Sequence, residues 1–381
     1  MKLGGITWWR NNYGSILQAY ALQRYLRDNL CQDYVIINQY SKKMASASNF
    51  LKKIKEFGII TTFKRLVGRF GLPQLRKRVG VLQKFVDEKL LITEDVYSEE
   101  TISKANIAFD GFICGSDQIW NPANTNLDSM YWLGFAEENK LKISYAPSIG
   151  IESAEGNVRD QIKKNLSNFD AISSREESGS KLINDILGED VCITVADPTF
   201  LVDKVTWDEL SDYKVCNGKY IFAYILRGSK QERKAIERFA KNKGLQILSI
   251  PFLDGEHLVP YDFKFGDIKL WDASPADFVS AIRNAEYIFT DSFHCMVFSC
   301  FYHKNFNIFP KKGKLQMSRL LGLQDLLLTG NRVISCDFSL EEVLSFQEID
   351  WELTEKRISE CRNRSRKYLI DAIERGVSKC H

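Results

Sequence analysis

Short apolar runs alternate with segments of helical spacing along this 381-residue chain. Runs rich in β-branched and aromatic residues, each closed by polar or turn-forming residues, predict buried strands. Between them, apolar residues recur every three or four positions, which predicts amphipathic helices such as 16–26 and 230–243. The predicted strands are 3–7, 34–38, 112–114, 142–146, 191–198, 220–226, 245–250, 287–289 and 306–309, with another at the start of 170–178. Alternating strands and helices indicate an α/β fold with parallel sheets.

The same pattern restarts after Trp207, which indicates a second domain. A chain of 381 residues is also longer than one typical hydrophobic core requires. We therefore expect an N-terminal doubly wound domain over 1–205 and a second one over 206–345. A charged helix in 346–381 is expected to pack back on the N-terminal domain.

Residues from about 42 to 92 interrupt this pattern with a block of positive charge. From Ser41 to Leu90 the chain has 13 Lys and Arg against 3 Asp and Glu, a local charge of +10, whereas the whole chain carries +3. Large apolar side chains are interleaved with these cations, which predicts basic amphipathic helices broken near Gly58 and Gly71. Two interpretations stay open: an excursion packed on the first domain, or a contact with an anionic membrane surface.

Composition narrows the class of protein. The apolar fraction of 44% and the charged fraction of 27% are those of an ordinary globular protein. No apolar run is long enough to span a bilayer, and the first residues lack the apolar stretch of a signal peptide. Nine scattered cysteines without a CxxC pair predict reduced core thiols, not a disulfide framework or a zinc site. We expect a cytoplasmic protein, peripheral at the inner membrane face if the basic segment binds lipid, with neither metal nor nucleic acid as a ligand.

His294 has the clearest chemical context of the four histidines. The predicted strand 287–289 is followed at once by Thr290, Asp291 and Ser292, each able to cap a helix, and then by the apolar face of that helix. His294 is therefore predicted at a strand-to-helix turn, where open α/β sheets bind ligands and where free backbone N–H groups favour an anion. A histidine there can transfer a proton near neutral pH. The alternative is a structural histidine that closes the turn.

Other polar turns follow the strands of the first half. Residues 12–15 place small and polar groups at the start of a helix, without the glycine spacing of dinucleotide folds or the lysine of a P-loop. Residues 115–118 form a second polar turn, and Trp120 adds an aromatic face that suits a sugar ring. Arg175 is predicted to project from another strand end, or else to be a surface arginine paired with Glu176 or Glu177.

Six motifs, in order, resemble the polysaccharide pyruvyl transferase family. They are Asn12-Tyr-Gly-Ser15 with Leu17-Gln-Ala-Tyr-Ala-Leu22, Gly115-Ser-Asp-Gln-Ile-Trp-Asn-Pro122, Ser144-Tyr-Ala146, Ser174-Arg-Glu176, Asp197-Pro-Thr199 and Thr290-Asp-Ser-Phe-His294. The resemblance extends from about residue 4 to residue 325. It implies two Rossmann-like domains in a GT-B-like arrangement, with the active site in the cleft between them.

The resemblance also implies a reaction. A pyruvyl group passes from phosphoenolpyruvate to two hydroxyls of a sugar, in a surface polysaccharide or its lipid-linked precursor, with formation of a cyclic ketal and loss of phosphate. This chemistry requires no cofactor. The resemblance implies His294 as the acid–base group, with Asp291 and Ser292 beside it. The donor-binding candidates are Arg175, Arg227, Arg319 and Ser292, and the acceptor-binding candidates are Asn12, Tyr13, Gly14, Gln18, Ser116, Asp117, Gln118 and Trp120.

Two positions depart from the family's pattern. Cys295 occupies the position where glycine commonly follows the histidine. A side chain at this position keeps the backbone from approaching a ligand as closely as glycine would. Ser292 occupies the position of an arginine that grips the donor in one branch of the family, so another cation must replace it, or the donor differs. Two other functions stay open: a GT-B-type glycosyltransferase that uses a nucleotide-sugar, and a non-catalytic carbohydrate-binding scaffold.

Overall fold

The computed structural model describes residues 1–40, 73–252, 259–311 and 314–379. Within them, the chain forms two compact units. Unit 1 consists of 1–40, 86–203 and 358–379, and unit 2 consists of 73–85, 204–252, 259–311 and 314–357. The division after Asp203 lies close to the boundary predicted after residue 205.

Unit 1 is built on parallel strands. They are β1 (Lys2–Ile6), β2 (Asp33–Tyr40), β3 (Ile92–Ser98), β4 (Gly111–Cys114), β5 (Leu141–Ser144), β6 (Ile172–Ser174) and β7 (Cys192–Thr194). The first five pair in the order β3-β2-β1-β4-β5, and β6 pairs with β7. A parallel bridge between Ile143 and Ala171 extends the sheet from β5 towards β6. The order reverses between β1 and β4, which is the ligand-binding switch point of such sheets.

Unit 2 repeats this topology. Its parallel strands are β8 (Tyr220–Tyr224), β9 (Gln246–Ser249), β10 (Ile268–Lys269), β11 (Tyr287–Thr290) and β12 (Phe306–Ile308), in the order β10-β9-β8-β11-β12. The switch point lies between β8 and β11, so the segment that carries His294 follows a strand at that point. The predicted α/β fold with two doubly wound sheets is confirmed.

The helices connect these strands. They are α1 (Tyr13–Arg24), α2 (Pro73–Lys89), α3 (Pro122–Thr125), α4 (Gly156–Leu166), α5 (Glu177–Leu187), α6 (Lys204–Ser211), α7 (Lys230–Lys243), α8 (Pro275–Arg283), α9 (Phe293–Phe301), α10 (Lys314–Leu327), α11 (Leu340–Ser345) and α12 (Trp351–Lys379). Helix α7 has the predicted bounds, because Ser229 forms a capping box with Glu232 and Gly244 ends the helix in a left-handed conformation. Among the described residues, no helix combines the length and apolar character needed to cross a membrane.

Each unit has its own core. In unit 1, Trp120 and Trp132 stack with ring centroids 4.4 Å apart, beneath the buried strands β1 and β4. In unit 2, Phe239, Phe289 and Phe338 pack against one another.

The second part of α12 belongs to unit 1. The Ser365 hydroxyl accepts a hydrogen bond from the Ala196 amide at 2.8 Å, and the Tyr368 hydroxyl donates to the Ser144 carbonyl at 2.8 Å. Both contacts satisfy backbone groups just beyond or at the ends of strands β7 and β5. The described part of α12 from 358 onward thus contacts unit 1, whereas residues 351–357 are grouped with unit 2.

Helix α2 is the described part of the basic segment. Its residues up to Phe85 are grouped with unit 2. The buried Arg78 guanidinium donates to three carbonyl oxygens of that unit, at Pro251, Leu270 and Trp271. This differs from the expected excursion packed on the first domain. The strongest part of the basic amphipathic pattern, 41–72, lies outside the described residues.

Candidate active site

Three parallel strands of unit 2 bring chemical groups to one end of the sheet. Thr290 of β11 lies opposite Tyr224 of β8 and opposite Ile308 of β12. The segments that follow these strands therefore leave the sheet at its carboxyl edge, the end at which the parallel strands finish. Arg227, His294 and Lys311 lie three or four residues beyond the paired positions. The topology thus gathers two cations and a histidine at the switch point.

Side-chain hydroxyls fix the turn that carries His294. The Thr290 hydroxyl donates to the Tyr224 carbonyl at 2.7 Å and accepts from the Ser292 amide at 3.0 Å. Ser292 then caps α9, because its hydroxyl accepts from the Cys295 amide at 3.4 Å. His294 is the second residue of this helix, half-buried, and its ring meets Phe293 at a right angle with centroids 5.3 Å apart.

Asp291 holds the neighbouring loop. Its buried carboxylate accepts from the Leu226 amide at 2.7 Å and from the Arg227 amide at 2.9 Å. These bonds tie the loop after β8 to the turn after β11, and they place Arg227 beside the start of α9. The Asp291 carboxylate therefore positions that loop, and its place in the catalytic group stays a prediction.

Lys311, Arg227 and Arg319 form a cation cluster at this turn. The pKa of Lys311 is lowered to about 8, mainly by burial; the carboxylate of Asp291 opposes this effect, and the guanidinium groups of Arg319 and Arg227 add to it. These charges influence one another because they lie close together. The Arg319 guanidinium, from α10, also lies 5.6 Å from the ring centroid of Phe293, the residue before His294.

Sequence reasoning did not select Lys311 as a site residue. The available signal was its place just beyond β12, which matches that of Arg227 just beyond β8. Lys311 supplies a cation close to Asp291, the residue before Ser292, where the family resemblance led us to look for a replacement. The adjacent Cys295 is fully buried, and burial raises the pKa of its thiol to about 12, so it is a neutral core group.

A second polar cluster lies at the switch point of unit 1. Asn12 caps α1 by accepting from the amides of Gly14 and Ser15 at 2.9 and 3.4 Å. The Ser15 hydroxyl donates to Asp117 at 2.5 Å. Asp117 has a φ of +70°, in the left-handed region that non-glycine residues rarely adopt. This strained residue therefore joins the turn after β1 to the turn after β4.

The remaining acceptor candidates mostly hold these turns together. The buried Gln18 side-chain amide donates to the Thr7 hydroxyl and to the carbonyls of Trp8 and Ser15, at 2.8 to 3.0 Å. The Gln118 side-chain carbonyl accepts from the amides of Asn121 and Asn124. Tyr13, Gly14 and Ser116 are buried at the same edge.

Arg175 belongs to this polar cluster of unit 1. Its side chain is only 2% exposed, and it donates to Asp197 at 2.9 Å and to Glu176 at 3.1 Å. Burial lowers its pKa, but the carboxylates of Glu176, Asp197 and Asp117 outweigh this effect, so the pKa lies above the ordinary value. The predicted pairing with Glu176 is present, but Arg175 is a buried arginine and not a surface one.

Trp120 lies in the core, contrary to our prediction that its aromatic face suits a sugar ring. It is 0% exposed, one face stacks on Trp132, and Phe169 meets it edge-on at 5.6 Å. Its indole N–H donates to the Tyr131 carbonyl at 3.0 Å. Burial of this large ring stabilises unit 1 and leaves no face for a sugar. Within the described residues, no three His, Cys, Asp or Glu side chains converge as a metal site.

Comparisons with known proteins agree with this architecture. A family model described as polysaccharide pyruvyl transferase matches residues 12–310. No curated protein sequence matches. Among solved structures, UDP-GlcNAc 2-epimerase from Methanocaldococcus jannaschii is 12% identical with a TM-score of 0.50, over 96% of this chain and 94% of that one. UDP-GlcNAc 2-epimerase from Neisseria meningitidis, bound to UDP-GlcNAc, is 10% identical with a TM-score of 0.51, over 98% of this chain and 100% of that one. These likenesses show the fold, which is GT-B-like.

Proposed function

The chain belongs to the polysaccharide pyruvyl transferase family, and we propose that it transfers a pyruvyl group from phosphoenolpyruvate to two hydroxyls of one sugar. The product is a cyclic ketal, and phosphate is released. The acceptor is a surface polysaccharide or its lipid-linked precursor. The observation that supports this proposal most strongly is the meeting of His294 with the cation cluster at the switch point of unit 2.

The cation cluster suits a donor with two anionic groups. Phosphoenolpyruvate carries a phosphate and a carboxylate, and both form strong charge-assisted hydrogen bonds with lysine and arginine. The start of α9 adds the partial positive charge of a helix N-terminus. Lys311 is therefore our candidate for the cation that replaces the arginine absent at Ser292.

His294 supplies the acid–base group. Its imidazolium protonates the methylene carbon of the enol, which leaves a cation at the neighbouring carbon. One sugar hydroxyl forms a C–O bond to that carbon and loses its proton to a base. The bond to the phosphate oxygen then breaks, phosphate departs, and the second hydroxyl closes the ketal with loss of its own proton. A histidine can act as both acid and base near neutral pH.

The acceptor-binding candidates belong to the switch point of unit 1. Asn12, Ser15 and Asp117 present oxygen atoms at the switch point of unit 1, and oxygen acceptors of this kind bind sugar hydroxyls. Ser15 is an addition to the acceptor-binding predictions, of which we keep Asn12, Tyr13, Gly14, Gln18, Ser116, Asp117 and Gln118. Arg175 keeps its donor-binding prediction, with Asp197 as the carboxylate that orients it.

Mass spectrometry of candidate acceptors tests the reaction. Oligosaccharides from bacterial surface polymers are incubated with phosphoenolpyruvate, and we expect the mass gain of a pyruvyl ketal together with one phosphate released per product. A parallel incubation with nucleotide-sugars tests the glycosyltransferase alternative. Sugar transfer from a nucleotide donor, or no consumption of phosphoenolpyruvate with any acceptor, would overturn the proposal.

A further inference from the structure

Two aromatic side chains lie together beyond the edge strand β10, away from the His294 turn. We call Phe263 and Trp271 the aromatic pair. Their ring centroids are 5.4 Å apart and their planes are inclined by 31°. Phe263 is 40% exposed and Trp271 is half-buried. Two contacting aromatic rings that are partly accessible at a ligand-binding edge are a candidate contact for a ligand.

Arg78 of helix α2 fixes the backbone under the aromatic pair. Its guanidinium donates to the carbonyls of Trp271 at 2.9 Å, Leu270 at 3.1 Å and Pro251 at 2.5 Å. Pro251 follows β9, and Leu270 and Trp271 follow β10. A buried guanidinium that bonds two strand ends holds the indole in one place before any ligand arrives. Binding sites gain affinity from such preorganisation.

Polar groups flank the aromatic pair on the same edge. The Asp272 carboxylate, next to Trp271, lies 2.5 Å from the Lys77 ammonium, and both side chains are exposed, at 40% and 69%. The hydrogen bond from Lys77 lowers the pKa of Asp272, which keeps the carboxylate ionised. An ionised carboxylate accepts hydrogen bonds from hydroxyls, and the ammonium donates to them.

The aromatic pair and His294 belong to the same carboxyl edge. Strand β10 is separated from β11 by β9 and β8. With neighbouring strands about 4.8 Å apart, the two positions are roughly 14 Å from each other along the edge. A single sugar ring does not cover this distance, whereas a short oligosaccharide does.

We propose that the aromatic pair, with Asp272 and Lys77, is an acceptor subsite for a sugar residue distant from the one that receives the pyruvyl group. This inference rests on the proposed function and names its acceptor class, an oligosaccharide chain. The C–H face of a pyranose packs on an aromatic ring, and its outward hydroxyls reach the carboxylate and the ammonium. Aromatic rings with a few polar groups are the usual composition of such sites.

Direct binding tests the subsite without turnover. A glycan array of bacterial surface oligosaccharides and their component monosaccharides is probed with the wild-type protein and with Trp271→Ala. We expect the wild type to retain oligosaccharides in preference to monosaccharides. In Trp271→Ala this binding should weaken about 10-fold, the size of an aromatic packing contribution. Trp271→Phe should recover most of it, because the ring is kept.

Tyr213→Ala is the matched control. Tyr213 is also a partly exposed aromatic residue of unit 2, at 44%, but it precedes β8 and so lies towards the opposite edge of the sheet. We expect its glycan binding to equal that of the wild type. Unchanged binding in Trp271→Ala, equal loss in both variants, or no preference of the wild type for oligosaccharides would each overturn the subsite. If UMP displaces the bound glycans, the aromatic pair binds a nucleobase and not a sugar.

Kinetics then separate this inference from the proposed function. With an accepted oligosaccharide, Trp271→Ala should raise the acceptor KM about 10-fold and leave both kcat and the KM for phosphoenolpyruvate unchanged. With a monosaccharide acceptor the two proteins should be equal. A fall in kcat for both acceptors would contradict a remote subsite. If the glycans bind through Trp271 but phosphoenolpyruvate is never consumed, the proposed reaction fails while the subsite stands.

Discussion

Hydroxyl groups of Thr290 and Ser292 fix the backbone of the turn that carries His294. Thr290 ties the end of β11 to β8, and Ser292 caps α9, so the second residue of that helix has one backbone position. This arrangement is local in sequence, which is why a run of strand, capping residues and helix predicted it. A histidine held by backbone capping can be replaced without removing the bonds that hold the turn.

Replacement of His294 by alanine therefore tests chemistry separately from folding. We expect turnover to fall at least about 100-fold, the lower range for loss of a general acid, with an unchanged melting temperature. His303→Ala is the control, because His303 is 43% exposed and pairs with Glu355 at 2.8 Å. It should keep turnover within a factor of two to three. Near-normal turnover of His294→Ala would remove its assigned role.

Lys311 predicts a pH dependence of donor binding. Its pKa of about 8 is lowered from the usual lysine value, mainly by burial. The ammonium is present below that pH and is lost as the pH rises through 8. Calorimetry should therefore show weaker phosphoenolpyruvate binding at pH 9 than at pH 7, with a flatter profile in Lys311→Arg.

Lys311→Met should weaken donor binding about 10-fold or more at pH 7, since hydrogen bonds to charged groups contribute about 1.5–3 kcal/mol. Lys304→Met is the matched control. Burial also lowers the pKa of Lys304, but this residue precedes β12 and so lies towards the opposite edge from Lys311. Equal donor affinities for wild type and Lys311→Met would exclude Lys311 from the site.

Contacts between residues distant in the chain could not be predicted from the sequence, and Arg175 is an example. Its pairing with Glu176 is local and was predicted, whereas Asp197 reaches it only through the parallel pairing of β6 and β7. The prediction that Trp120 contacts a sugar was wrong for the same reason, because Trp132 and Phe169 cover its ring through tertiary packing. Lys311 was missed because its neighbours depend on the pairing of β11 with β12.

Arg175→Ala should destabilise unit 1 as well as weaken donor binding. It leaves the carboxylate of Asp197, 0% exposed, without its cation, and breaking a buried pair costs about 3–5 kcal/mol. Urea denaturation measures this loss. Arg159→Ala removes an exposed pair with Asp185 and should cost less than about 1 kcal/mol. Arg175→Lys keeps the charge but not the planar fork, so a folded variant with unchanged phosphoenolpyruvate affinity would contradict a donor role.

At the scale of elements, the positions of the strands could be predicted from the sequence better than the contacts between elements. Most predicted strands lie within about two residues of the observed ones, because buried parallel strands are continuous apolar runs. Strand β3 was not predicted, since as an edge strand it buries only Tyr97 and its sequence is largely polar. The contacts of α2 were also not predicted, because nothing local to Arg78 indicates three carbonyls of a distant segment.

Helix α2 should contribute stability through Arg78 in particular. Arg78→Met leaves three carbonyl groups without their donor, and unsatisfied buried polar groups cost about 1–3 kcal/mol each, so we expect a loss of at least about 3 kcal/mol. Arg76→Met alters an exposed residue of the same helix and should change stability by less than about 0.5 kcal/mol. Denaturation curves that do not distinguish the two variants would show that Arg78 does not anchor the helix.

At the scale of the whole molecule, the two doubly wound units follow from a repeated strand–helix pattern. The division of the chain is less regular than that pattern, since α2 and α12 each contribute to both units. Charge is also uneven: outside Ser41–Leu90 the chain has 39 basic against 46 acidic residues. A net charge of +3 therefore conceals a basic segment attached to an acidic protein.

This charge separation predicts salt-sensitive binding to anionic membranes. A lipid-linked acceptor would lie at an anionic membrane face, where each lysine or arginine contributes roughly 1 kcal/mol. Apolar packing alone would give no salt dependence, because only the electrostatic part is screened. We expect the purified protein to co-sediment with phosphatidylserine-containing vesicles at low salt and to be released at high salt.

A charge-reversal variant tests which residues bind the membrane. Lys77 and Arg78 already form contacts within unit 2, so the variant changes Lys52, Lys53, Lys64 and Arg65, which lie outside the described residues. Their reversal to glutamate should abolish vesicle binding and leave turnover on a soluble acceptor unchanged. If the wild type ignores these vesicles at low salt, the basic segment is a solvated surface and has no membrane role.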